Sequence, residues 1–333
     1  MLFCEGFGHG LMDAFNGYWS TPNVGAFVLS SSVKHQDVLG NGSGYSLRTA
    51  GFFDVSTTHA FGDGDMWVHV AMKCDSNSYS ILKFLRNGEN QASITVDSGI
   101  INLRLGNFDG TILASSLPVI VSNTWHYYWI KLDAQSSGSM EVYVNGNTTP
   151  AVTFSGDCQN ATLTGWDQFS FRGGFVVNVY WADVVTFSSA EKTAEFGTTY
   201  PELFIPAIIP TSDDVNDFTG GYAEVDEIPW SSAEYATSTV IGDELIMNNT
   251  GLGWTPSSVH GVAITTYLTR SGSIYSFQPR LKSGLADFTG ATFSPMAGGQ
   301  YVQRQEMVQL NPDGSAQWTY SDVTSCKFGV KTV

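Results

Sequence analysis

Charge is scarce in this chain. Only 14% of its 333 residues are Asp, Glu, Lys or Arg, about half the usual fraction. What charge there is leans one way, with 15 Lys+Arg against 31 Asp+Glu and a net charge of −16. The excess is even along the chain: residues 1–200 hold 9 Lys+Arg against 17 Asp+Glu, and residues 201–333 hold 6 against 14. No basic stretch exists, which argues against direct nucleic-acid binding. Cysteine is also sparse. Cys4, Cys74, Cys158 and Cys326 are scattered, with no CxxC and no metal-ligand spacing. Two disulfides can be drawn, but free buried thiols are the expectation. No apolar run approaches the ~20 residues that span a bilayer as a helix, so no membrane insertion is expected. The opening MLFCEGFGHG has no basic region followed by an apolar core. No signal peptide is therefore expected, and folding in a cytoplasm follows. The Asn-x-Ser/Thr triplets at Asn41, Asn147, Asn160 and Asn248 then read as chance products. There is no Gly-x-Ser-x-Gly and no phosphate loop.

What is present is turn chemistry and aromatic strands. Hydrophobic residues make up 42%, aromatics 13%, and Gly numbers 35. That mixture suits an all-β protein with many turns. The low charge also suits a chain that hides surface in an assembly, so a homo-oligomer is expected. Short strands read at residues 45–48, 66–73, 80–85, 92–96, 100–105, 125–132, 140–144, 151–154, 168–171 and 176–187, with Gly and Asn between them. Residues 191–196 read as one helical turn. Pro201, Pro206 and Pro210 then mark residues 197–212 as a semi-rigid connector. Beyond it, strands read at 222–225, 244–247, 259–268, 274–281 and 301–308. A polar turn, a capped helical turn and a last strand at 326–333 follow. The domains are thus 1–196, a connector at 197–212, and 213–333. The fold class is all-β with two sandwiches, the second smaller.

The most telling stretch is 123–146, NTWHYYWIKLDAQSSGSMEVYVNG. Trp125-His126 opens an alternating strand, a polar turn follows, and a second alternating strand ends at Asn145-Gly146. This order resembles the late core strands of the laminin-G and concanavalin A-like lectin sandwich, and the resemblance covers roughly residues 1–190. It implies a jelly-roll first domain that contacts glycan or protein. The second half resembles C-terminal domains of virion proteins of tailed bacteriophages, through YAEVDEIPW (222–230) and NPDGSAQWTYSDVTSCKFGVKTV (311–333). That resemblance implies a non-enzymatic structural protein of the virion, assembled in the bacterial host cytoplasm beside other virion proteins. Two placements stay open: the tail, fibre or adhesion apparatus with host-surface glycan as partner, and decoration of the capsid. A polysaccharide depolymerase is the outside alternative.

Alternation nominates the site. If Tyr128, Ile130 and Leu132 face the core with Met140, Val142 and Val144, then Tyr127, Trp129 and Tyr143 face away and form one aromatic platform for glycan or partner. Catalytic residues are expected to be absent. Glu224 and Asp226 would share a strand face, but the next positions of the Glu224-Val225-Asp226-Glu227 run carry Ile228 and Pro229, not a third carboxylate. The six His are dispersed, and His126 is expected in the core with a backbone hydrogen bond. No cofactor is implied beyond calcium, for which loop oxygens at Asp63, Asp65, Asn107 and Asp109, and at Asp213, Asp214 and Asp217, are weak candidates. Ordinary turn-making explains the same residues.

Overall fold

The computed structural model describes residues 65–160, 164–172, 177–206, 208–225, 235–249, 251–252, 254–269, 276–294 and 302–333, together with five strands within 1–64. The chain divides into two compact units between Ile205 and Pro206.

The first unit is a two-sheet antiparallel sandwich. Its short leading strands are β1 (Phe3–Glu5), β2 (Trp19–Ser20), β3 (Phe27–Ser30), β4 (Ser46–Thr49) and β5 (Asp54–Thr57). Longer strands follow: β6 (Met66–Cys74), β7 (Tyr79–Arg86), β8 (Glu89–Asp97), β9 (Ile100–Leu105) and β10 (Ile112–Pro118). Then come β11 (Trp125–Asp133), β12 (Gly138–Val144), β13 (Val152–Gly156), β14 (Gln168–Arg172), β15 (Val179–Ser188) and one helix, α1 (Ser189–Phe196). One sheet runs β13-β12-β11-β6-β15-β4-β3, with β1 also on β15. The other is seven-stranded and runs β10-β9-β8-β7-β14-β5-β2.

Alternation sets the register. Tyr128, Ile130 and Leu132 pair with Val144, Val142 and Met140 across β11–β12, and all six are buried. The opposing sheet contributes Leu82, Phe84, Ala92, Ile94, Ile101 and Leu103, also buried. Asn87-Gly88 makes the tight β7–β8 turn with both residues at positive φ (52° and 81°), as a two-residue hairpin requires. Asn145-Gly146 has similar angles (52° and 77°), but the chain runs on to Val152 before pairing again.

The second unit holds a five-stranded sheet, β16-β17-β22-β19-β20, and a two-stranded ribbon, β18-β21. These are β16 (Pro210–Asn216), β17 (Glu244–Asn249), β18 (Val262–Leu268), β19 (Phe277–Ser283), β20 (Ala286–Thr289), β21 (Val302–Val308) and β22 (Lys327–Thr332). The helical turn α2 (Tyr320–Ser325) is capped by Thr319 and Asp322 in a reciprocal box. Ile264, Leu281, Val308, Trp318 and Val323 join ribbon, sheet and helix in one core.

Several elements differ from the sequence reading. Residues 197–205 belong to the first unit, and β16 turns the end of the expected connector into a strand. β10 and β20 are strands that the sequence pattern does not display. Residues 222–225 are not a strand: Tyr222–Glu224 is a single 3-10 turn. The premise that Glu224 and Asp226 share a strand face therefore fails, and Asp226 and Glu227 lie outside the described residues.

Ile130 is fully buried between two paired strands. Ile130→Ala is expected to cost about 2–5 kcal/mol in a denaturant titration.

Candidate functional site

The outward face of β6, β11 and β12 is aromatic, as alternation requires. Trp129 pairs with Tyr143 on one side and His69 on the other. It is not an exposed platform. Trp129 is 0% exposed, because α1 and residues 197–205 lie across it. Its indole N–H donates to the Pro201 carbonyl at 2.7 Å. Phe187 stacks on it at 5.6 Å, and Phe196 meets it edge-on at 5.2 Å. Tyr143 stacks on Tyr200 with centroids 3.7 Å apart and donates its hydroxyl to Glu141 at 2.6 Å. Burial and that carboxylate push the Tyr143 phenol up. Tyr127 is half-buried beside His69.

The sequence of α1 explains the cover. Ser188 and Glu191 form a capping box, which starts the helix directly after β15. Lys192 and Phe196, one turn apart, both point down and are buried. The Lys192 ammonium sits over Tyr200 at 3.8 Å, Trp67 at 5.0 Å and Trp129 at 5.9 Å. It also donates to the Gly197 carbonyl at 2.8 Å. Burial lowers the Lys192 pKa, and Glu141 opposes that shift. An internal cation therefore occupies the aromatic surface that alternation had offered to a ligand.

The same cover is bolted at its far end. β15 bulges between Ala182 and Val185 opposite β6, with Asp183 at φ 51°. His69 Nδ1–H donates to the Asp183 carbonyl at 2.8 Å, and Nε2 accepts from the Leu203 N–H at 3.3 Å. The Asp183 carboxylate accepts the Ile205 N–H at 2.8 Å.

The seven-stranded sheet carries a different outer face. The register aligns Ser170, Lys83, Ser93 and Arg104 in one row across β14, β7, β8 and β9. A second row runs Ser80, Thr95, Asn102 and Ser115. Neither row contains a carboxylate. Arg104 ties the rows together, donating Nε–H to Thr95 Oγ1 at 3.0 Å and Nη1–H to the Gly110 carbonyl at 2.8 Å. Ser115 donates to Asn102 Oδ1 at 2.6 Å. Phe108, in the turn before β10, lies 5.5 Å from the Lys83 ammonium and 5.2 Å from the Arg172 guanidinium. Among the described residues, buried Ser93 Oγ and Gln91 Nε2 have no hydrogen-bond partner. The strand sequences Gln91-Ala92-Ser93-Ile94-Thr95 and Asn102-Leu103-Arg104 carry this signal. The sequence reading misses it because the aromatics are the louder pattern.

The remaining candidates make local structure. Asn107 Oδ1 accepts the Phe108 N–H at 2.9 Å, and Asp109 is exposed in that turn. Asp65 faces Lys131 at 3.3 Å, and Asp63 lies outside the described residues. Asp213 accepts from Tyr222 N–H and Asn216, Asp214 pairs with Lys327, and Asp217 accepts the Glu244 N–H. Among the described residues no group of three His, Cys, Asp or Glu side chains is placed to hold a metal. Cys74, Cys158 and Cys326 are free and buried. Desolvation raises their thiols to about 12, 11 and 11, far from the reactive range.

His126 is buried as expected. Asn145 Nδ2–H donates to its Nδ1 at 2.9 Å, leaving Nε2–H to donate to the Val121 carbonyl at 3.2 Å.

No family model and no curated protein matches this chain. Solved structures of similar fold include a cellulose-induced protein, Cip1 (15% identity, TM-score 0.42, covering 56% of this chain and 97% of that one). An endo-β-1,4-glucuronan lyase from the fungus Trichoderma reesei is another (13%, TM-score 0.38, 56% and 95%). A third is the carbohydrate-binding module CBM66 from Bacillus subtilis (11%, TM-score 0.35, 52% and 98%).

Two outcomes follow from the covered face. Trp129→Ala is expected to cost about 3–5 kcal/mol of stability, read by chemical denaturation, because it empties a packed site. His126 gives a pH dependence. Burial lowers its pKa in the fold, while the unfolded chain titrates near about 6.5. Its contribution is complete above that value and is lost as pH falls through the folded pKa, since the unfolded chain then binds the extra proton. Melting temperature should fall on acidification from neutral pH, with a smaller slope in His126→Gln.

Proposed function

We propose that the chain is a non-enzymatic structural protein of a tailed-phage particle, and that its first sandwich binds glycan on the outer face of the seven-stranded sheet. The observation that carries the glycan reading is the pair of polar rows. Ser170, Lys83, Ser93 and Arg104 alternate hydroxyls with cations at adjacent-strand spacing, beside the ring of Phe108. Sugars present vicinal hydroxyls that both donate and accept, together with an apolar ring face. Hydroxyl, guanidinium and aromatic groups in one row answer all three. Ser115 and the Arg104 guanidinium, at the end of the rows that reaches solvent, are the groups a ligand hydroxyl would meet.

The non-enzymatic reading rests on the same rows. Two-carboxylate hydrolysis needs a facing acid pair, and the rows offer none. The virion role rests on the sequence of the second half, and the low charge fraction supports an assembled state. Placement in the tail or adhesion apparatus accords with a glycan-binding sandwich; capsid decoration is the alternative.

Titration calorimetry with neutral and acidic oligosaccharides of bacterial surfaces tests the binding. Arg104→Ala and Ser115→Val are expected to weaken it about tenfold or more, while Tyr127→Ala leaves it unchanged. Binding that survives both row variants would overturn the assignment. New reducing ends or unsaturated products on incubation would overturn the non-enzymatic reading. Antibody to the chain should decorate the tails of purified particles. Decoration of the shell would favour the capsid reading, and unlabelled particles would remove both.

A further inference from the structure

The edge of the seven-stranded sheet is uncharged. No Asp, Glu, Lys or Arg stands between Asp109 and Lys131 in a chain of net charge −16. β10 lies at that edge, hydrogen-bonded to β9 and flanked by β13 of the other sheet. Four apolar side chains on it and just after it are open to solvent: Ile112 is 48% exposed, Leu117 81%, Val119 39% and Val121 61%.

The ridge is stiff. Val119 and Ile120 both donate their N–H to the Gly99 carbonyl, at 2.9 and 3.1 Å. Ile120 is buried beneath them. Val121 is held through its carbonyl by His126. Ser116 Oγ accepts the Ile101 N–H at 2.9 Å, fixing the end of β10. A ridge held this way loses little freedom when it is covered.

We propose that this edge is a self-association surface on which two copies set their β10 strands antiparallel across a twofold axis. The occupant is argued from charge. Two copies of −16 each repel over most of their surfaces, so they approach most easily where neither brings charge. A partner recruited by charge would instead dock on the acidic surface. One strand against its own antiparallel copy is self-complementary, as a twofold contact requires. Pro118 and the register shifts at Ile112/Ala114 and Ser115/Pro118 keep the backbone ladder short. The contact then rests on Leu117, Val119 and Val121, and it closes as a dimer. Because Ser115 and Ile112 pair with Asn102 and Arg104, such a dimer would also set the polar rows of two copies side by side. The association does not depend on those rows binding sugar.

Sedimentation of the full chain across a concentration series, without sugar and at low and high salt, tests this. A reversible dimer is expected, tighter at high salt because screening removes the repulsion between copies. Leu117→Glu should weaken it about tenfold or more by placing like charges across the axis. Leu285→Glu adds the same charge at an equally open site in the second unit (101% exposed) and should change nothing. Leu117→Ser repeats the test without added charge, and circular dichroism melts confirm that each variant is folded. A monomer at every concentration and salt would overturn the proposal. So would an association that loosens with salt, or one that Leu117→Glu and Leu285→Glu weaken equally.

Discussion

The burial of Trp129 organises the first unit. A sheet face carrying Trp67, Trp129 and Tyr143 side by side is too apolar to leave bare, and a buried indole N–H needs an acceptor. The chain meets both needs with the segment that follows its last strand. α1 lays Phe196 against the ring, and the backbone beyond it brings the Pro201 carbonyl to Nε1. Lys192 travels with the helix, and its charge is the costly part of the arrangement. Burying an ammonium is unfavourable, as its lowered pKa records. The faces of Tyr200 and Trp67 and the Gly197 carbonyl offset that cost. Once Phe196 and Pro201 are placed, residues 203–205 can only run past His69 and Asp183. Those two accept the backbone N–H groups of Leu203 and Ile205 there. Buried N–H groups are rarely left unpaired, so the bulge at Asp183 belongs to the same device: it turns a carboxylate toward backbone that no strand would pair.

The alternation of β11 and β12 makes the core legible in the sequence. Tyr128, Ile130, Leu132, Met140, Val142 and Val144 lie inward because a period of two admits one choice once the inward set is apolar. The same alternation places Tyr127, Trp129 and Tyr143 on the other side. It does not say whether that side meets solvent. Exposure depends on a segment more than fifty residues away, and a local period carries no information about it. The capping box at Ser188 and Glu191 and the spacing of Lys192 and Phe196 are the available hints. They mark a helix with a buried stripe but not the surface it covers.

Other differences have local causes. β10 reads Ile-Leu-Ala-Ser-Ser-Leu-Pro, with neither clean alternation nor β-branched enrichment, and proline suits only an edge. β16 carries two acids and begins at a proline. Its pairing with β17 needs two register shifts, which a sequence pattern does not display. At Tyr222–Glu224 the alternation of Tyr-Ala-Glu-Val imitates a strand. The chain turns instead because the Asp213 carboxylate captures the Tyr222 N–H, a side-chain bond that competes with sheet pairing.

The two outer faces of the sandwich are therefore built in opposite ways. On one, apolar rings sit beneath the protein's own helix and strand-end, and their contacts are complete. On the other, hydroxyls, amides and cations stand in register across four strands. A polar face at this depth is unfavourable unless its groups are paired, and each unpaired buried group costs about 1–3 kcal/mol. Arg104, Thr95, Asn102 and Ser115 meet this internally. Among the described residues Ser93 Oγ and Gln91 Nε2 find no such partner. Valine at position 93 would suit the strand better and leave nothing unsatisfied. Serine there sets a buried hydroxyl against the strand's preference for a branched apolar side chain. The proposed glycan contact accordingly lies on the polar sheet face, since the aromatic face already carries the protein's own helix and strand-end.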